Sequence, residues 1–217
     1  MANPKFGTLT NFDPAAFDLG VGSTISNGVL TVVPSGASNY DGGAVTKTPY
    51  DIAASVSSYR VNNSNGTTAD SHENYMGLID THEFSWGFGA AQNILGFYMT
   101  GDSQTPGTGV WLQPVVNVAG ADFSPSSAPF ETTPTYLRIR ETGGTTFWEY
   151  SADGSTWTTI YSVADPLSAT EMGALYWSIC VGFYNASDTP VTQHFDKFNG
   201  GAVAPAANPG QFFPFIR

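Results

Sequence analysis

The segment Tyr136-Leu-Arg-Ile-Arg-Glu-Thr-Gly-Gly-Thr-Thr-Phe-Trp-Glu-Tyr-Ser-Ala-Asp-Gly-Ser-Thr-Trp157 writes two successive β-hairpins and leaves few folds open. With Gly143-Gly144 as a two-residue turn, Thr142 faces Thr145. Counting outward sets Arg138 opposite Glu149, Ile139 opposite Trp148 and Leu137 opposite Tyr150. Leu137, Ile139, Trp148 and Tyr150 then share one face, and an opposite-charge pair stands on the other, the pattern of a sheet with one face buried. Asp153-Gly154 turns the chain again. A two-residue turn and a three-residue turn with a glycine bulge differ there by one step and aim Trp157 at opposite faces, so its side stays open.

The rest of the chain repeats this texture. Among 217 residues, 24 glycines and 14 prolines punctuate short apolar runs, and no segment holds a helical period over three turns. Strands are expected at 29–33, 53–61, 74–80, 83–87, 94–100, 110–118, 136–142, 145–151, 176–184 and 193–199. Residues 1–20, with Phe6, Leu9, Phe12 and Phe17, read as an extended edge segment laid over a sheet. Short strands with frequent turns indicate an all-β, two-sheet antiparallel sandwich or jelly roll. Residues 1–200 form that domain. Residues 201–217 form a linker and an aromatic C-terminal docking tail in which Phe212, Phe213, Phe215 and Ile216 either fold back or anchor on another subunit.

Charge narrows the function. Eighteen acidic residues against seven basic ones give a formal net charge of −11. No run of Lys or Arg offers a phosphate-binding cluster, so nucleic acid is not an expected partner. No apolar run reaches the roughly 20 residues of a membrane span, and the first residues lack an apolar signal core, which describes a soluble chain made in a cytoplasm. Cys180, alone in the chain, sits in an apolar run and reads as a buried small side chain.

Alternation in 176–184 sets Trp177, Ile179, Val181 and Phe183 against Tyr176, Ser178, Cys180, Gly182 and Tyr184. In 94–100, Phe97 and Met99 oppose Ile94, Gly96 and Tyr98. A sheet with one core face and one aromatic-and-polar face suits glycan binding, because sugar CH faces stack on rings and hydroxyls take hydrogen bonds. An ordinary sheet covered by loops gives the same pattern. Trp111 is the first candidate for an exposed platform, with Tyr98 and Trp86 beside it.

These elements, in order, resemble the concanavalin A-like lectin/glucanase superfamily. The resemblance is carried by Asn11-Phe-Asp13, Gly28-Val-Leu-Thr31, 136–140, 150–157, Val181-Gly-Phe183 and Phe195-Asp-Lys-Phe198. It implies a jelly roll over roughly residues 5–200. It also implies a candidate structural calcium ion between the first segment and the last strand, with Asp13 and Asp196 in the matching elements. The competing reading has Asp196 accepting backbone hydrogen bonds at a strand crossing.

The glucanase branch carries Glu-x-Asp-x-x-Glu on one strand, and this chain has no such motif. Glu73, Asp80 and Glu83 have the wrong spacing, and His72, His82 and His194 lack metal-ligand spacing. Gly42-Gly43 and Gly143-Gly144 read as turns without a following P-loop lysine. The expectation is therefore no enzymatic activity. The acidic charge, lone cysteine and aromatic tail further resemble bacteriophage minor tail and other virion proteins. That resemblance implies a virion location, contacts with neighbouring virion proteins or a second copy, and host-surface carbohydrate as ligand. The alternatives are a carbohydrate-binding accessory module of a secreted glycoside hydrolase and an architectural capsid decoration protein.

Overall fold

The computed structural model describes residues 2–34, 42–61, 72–84, 92–101, 110–125, 128–130, 136–183 and 192–200. Its strands, in chain order, are β1 (Phe17–Leu19), β2 (Ser23–Ser26), β3 (Val29–Val32), β4 (Gly42–Thr46), β5 (Val56–Val61), β6 (His72–Ile79), β7 (Ile94–Gly101) and β8 (Val110–Val118). They continue with β9 (Ala121–Asp122), β10 (Ala128–Phe130), β11 (Tyr136–Thr142), β12 (Thr145–Ser151), β13 (Thr158–Ala164), β14 (Tyr176–Phe183) and β15 (Gln193–Asp196). A short α-helix, α1 (Ala169–Met172), starts at a capping box formed by Ser168 and Glu171.

Two antiparallel sheets make a jelly-roll sandwich. The first runs β1-β4-β14-β6-β7-β8-β10 with β9 on β8, and the second runs β13-β12-β11-β5-β15-β3-β2. The 136–151 hairpin has the register expected of it, with Leu137 on Tyr150, Arg138 on Glu149 and Ile139 on Trp148. Gly143 and Gly144 both take positive φ, 62° and 77°, as a tight hairpin turn with the right twist requires.

The second turn departs from expectation. β12 ends at Ser151 and β13 starts at Thr158, so residues 152–157 form a longer loop. Asp153 organises it: its Oδ1 accepts the Ser155 and Thr156 amides at 2.8 and 2.7 Å. A register shift between Trp148 and Glu149 follows on β13. Gly42-Gly43 also departs, lying in β4 as strand and not turn. The reason is steric: a Cβ on Gly43, whose φ is +153°, would sit 1.9 Å from the Ile179 carbonyl oxygen of β14. Residues 83 and 84 are not strand, since β6 stops at Ile79 and the chain bends away.

Inner faces of both sheets meet in one core that includes Leu30, Tyr59, Leu137, Ile139, Trp148, Leu78, Phe97 and Ile179. At one end Phe12, Phe17, Tyr59 and Phe198 surround Trp177 with centroid separations of 5.1–5.8 Å. The first segment is thus core as well as edge: Phe6, Phe12 and Phe17 are buried, and β1 closes one side of the first sheet. Beside this knot, Asn199 ties the chain's two described ends together. Its Nδ2 donates to the carbonyls of Phe6 and Leu9 at 2.7 and 2.8 Å, and its Oδ1 accepts the Ser58 amide at 2.7 Å. Residues 201–217, with Phe212, Phe213, Phe215 and Ile216, lie outside the described residues.

Candidate functional site

The first sheet turns an aromatic and polar surface away from the core, as its alternation implies. Register sets Cys180, Tyr75, Tyr98 and Gln113 side by side across β14, β6, β7 and β8. Tyr75 and Tyr98 stack with centroids 4.7 Å apart and planes 28° apart. Tyr98 donates its hydroxyl proton to Glu73 Oε1 at 2.5 Å. Beneath them Ile79, Ile94, Val115 and Cys180 form a small second apolar cluster, on which Tyr75, Tyr98 and Tyr176 pack half-buried. Cys180 is buried, as its apolar run suggests.

This setting fixes the protonation of the phenols. Burial raises both above the ordinary tyrosine value, and the nearby Glu73 carboxylate raises them further. Both hydroxyls are therefore neutral hydrogen-bonding groups at any working pH. Segments of chain reach over the flanks of the face: Ser178 Oγ donates to the Glu83 carbonyl at 3.0 Å, and Gln113 Nε2 donates to the Pro125 carbonyl at 3.0 Å. The Tyr75–Tyr98 pair stands between those flanks.

Of the platform candidates, Tyr98 is on this face. The β8 backbone sets position 111 opposite Thr100, in the row that also holds Glu73, one row along from Tyr98; the Trp111 ring lies outside the described structure. Trp86 falls outside the described residues. Sequence reading missed Tyr75 and Glu73. The signal was the alternation of Glu73, Tyr75 and Gly77 against Asn74, Met76 and Leu78, obscured because the inward-facing Asn74 is itself polar.

The proposed calcium pair does not fit an ion. Asp196 is buried and spends its carboxylate on Arg60, with Arg60 Nε donating to Oδ1 at 2.6 Å and Nη2 to Oδ2. Asp13 is exposed, and its Oδ1 accepts the Ala15 amide at 2.8 Å. The link expected of the ion, from first segment to last strand, is made instead by the Asn199 side chain. Among the described residues no group of three or more His, Cys, Asp or Glu could hold a metal ion. The alternative reading of Asp196 also changes, since its partner is a guanidinium and not the backbone.

Glu73 is the carboxylate of its row, flanked by Gly182 and Thr100 on the neighbouring strands. A glycosidase sets two carboxyl groups across the scissile bond. This row and the Tyr75–Tyr98 row beside it together offer rings, hydroxyls and a carboxylate, which can stack on a sugar and exchange hydrogen bonds with it.

No protein-family model matches the chain, and no curated protein matches it in sequence. Solved structures do match in fold. The CBM2 module of the evolved Dit of Lactobacillus casei BL23 phage J-1 aligns with TM-score 0.60 at 12% identity, over 87% of this chain and 93% of that one. A legume lectin-like domain from Entamoeba histolytica aligns with TM-score 0.56 at 9% identity, over 85% and 88%. The exoplasmic/lumenal domain of VIP36, solved in a Ca2+/Man3GlcNAc-bound form, aligns with TM-score 0.53 at 11% identity, over 87% and 86%. The chain shares with these structures the jelly-roll, concanavalin A-like β-sandwich fold.

Proposed function

We propose that the protein is a non-catalytic carbohydrate-binding module whose platform is the outer face of the first sheet. The observation that carries this reading is the Tyr75–Tyr98 stack hydrogen-bonded to Glu73, standing between two flanking segments over a small apolar cluster. One sugar ring lies on the phenols while Glu73 accepts its hydroxyls. The absence of the Glu-x-Asp-x-x-Glu motif supports binding without hydrolysis. A glycan array tests it: binding should be lost in Tyr98→Ala and weakened in Trp111→Ala and Glu73→Gln. Release of reducing sugar from a bound glycan would reject the non-catalytic part, and an array with no signal above background would reject the whole.

A second reading places this module in a bacteriophage virion, at the tail, in contact with host-surface carbohydrate and neighbouring virion proteins. It is favoured by the fold likeness to the phage Dit module, and like any inference from fold it concerns context more than chemistry. In that setting residues 205–217 dock on a partner subunit or a second copy. Mass spectrometry of purified particles decides it: absence of the protein from them sinks the virion reading and leaves the accessory-module reading standing.

A further inference from the structure

The outer face of the second sheet is chemically unlike the first. β11 presents Tyr136, Arg138 and Arg140 in one row, with neighbours about 6.8 Å apart along the strand. Arg60 stands opposite Tyr136 on β5. Lys197, just past β15, donates to the Tyr136 hydroxyl at 3.2 Å. Trp157, carried there by the 152–157 loop, lies under the Arg138 guanidinium at 4.0 Å from the ring centroid.

Four of the chain's seven basic residues are therefore gathered on one face, from three separated stretches of sequence. Two carboxylates are paired with them: Asp196, bound by Arg60, and Glu149, shared by Arg138 at 2.5 Å and Arg140 at 3.2 Å. A third, Asp153, stands exposed in the 152–157 loop beside Tyr136, so four cations against three carboxylates leave one positive charge, on a chain whose formal net charge is −11. Two of the cations keep donors outside these ion pairs. Arg138 contacts Glu149 through Nε, which among the described residues leaves its terminal Nη pair as donors, and Lys197 has the Tyr136 hydroxyl for a partner. Both side chains stand beside Tyr136.

We propose that this face binds an anionic polysaccharide, a chain of uronate sugars whose carboxylates meet Arg138 and Lys197 while sugar CH faces lie along Tyr136 and Trp157. Charge complementarity names the anion. Aromatic rings interleaved with guanidinium groups on a sheet face name the sugar, because each unit of such a polymer brings both a charge and an apolar ring face, whereas an acidic peptide brings the charge alone. The site is separate from the Tyr75–Tyr98 platform and stands without it.

Calorimetric titration with a galacturonate hexamer tests the inference on the full chain. Binding should be measurable at low ionic strength and fall as salt rises. Lys197→Gln should weaken it about tenfold, the effect of one charge-assisted hydrogen bond. Arg138→Lys keeps the charge but loses the stack and the fork, and should weaken it about fivefold. Tyr98→Ala should leave it unchanged. The proposal is overturned by no binding at low ionic strength, by equal binding of a neutral cellohexaose, poly-glutamate or duplex DNA, or by affinity that ignores Lys197→Gln. Loss of binding in Tyr98→Ala would assign the ligand to the other face and equally end it. Among the described residues Lys197 makes no ion pair, so its variant stays informative even if Arg138→Lys fails to fold.

Discussion

Trp148 reaches across the sandwich and donates its indole Nε1 proton to the carbonyl of Gly96, 2.8 Å away on the opposite sheet. The ring is fully buried and packs on Tyr161, so one side chain both fills the core and bonds the two layers. Trp148→Phe keeps much of the packing but removes the donor and some volume. It should cost about 2–4 kcal/mol, read as a lower denaturant midpoint with unchanged slope.

Gly43 is fixed by the backbone beside it. Gly43→Ala places a methyl group against the Ile179 carbonyl at a φ that L-residues rarely adopt. The carbonyl belongs to a central strand and cannot swing aside. A loss of about 3 kcal/mol or more is expected, visible as a thermal midpoint shifted well below wild type or as an insoluble product.

Glu149 supplies the pH dependence. Burial alone would raise its pKa, but the hydrogen bonds and charges of Arg138 and Arg140 outweigh burial and hold it below the ordinary glutamate value. The folded state thus binds this proton less readily than the unfolded chain. Its stabilising contribution is full above the unfolded value of about 4.3 and disappears as pH falls through the lower folded value. Glu149→Gln should lower stability at neutral pH and flatten that part of the acid limb. Denaturation curves at a series of pH values from 7 downward check the difference between the two proteins.

Much of this architecture was legible because it is local. The 136–151 hairpin declares itself through period-two alternation about Gly143-Gly144, and its register needs no information from elsewhere in the chain. The next turn was not legible in the same way, because Asp153 builds its own hydrogen-bonded loop and so carries Trp157 out over Arg138. Gly42-Gly43 misleads for the opposite reason: its glycines answer to a neighbouring strand more than a hundred residues away in sequence. The candidate sites are non-local too. Tyr75 meets Tyr98 only when β6 pairs with β7, and the cations on β5, β11 and beyond β15 become a cluster only when the strand order of the second sheet is known.

Asn199 joins the first segment and β5 to the turn after β15. Removing its amide strips hydrogen bonds from the Phe6 and Leu9 carbonyls and the Ser58 amide together. Asn199→Ala should cost about 2–4 kcal/mol. A chelator should leave the thermal midpoint of the wild-type protein unmoved, and a drop on chelation would show that an ion shares the work.

The clasp at Asn199 also decides how the sandwich bears a pull. Tension applied between residues 2 and 200 meets the side-chain bonds of Asn3 to Gly173, Lys5 to Asp51 and Asn199 to Phe6 and Leu9 before it reaches the pairing of either sheet. Together with the backbone bonds between Pro4, Phe6 and Asp51, these contacts should give way first, and a single-molecule pulling curve should show one short early extension before the sheets unfold.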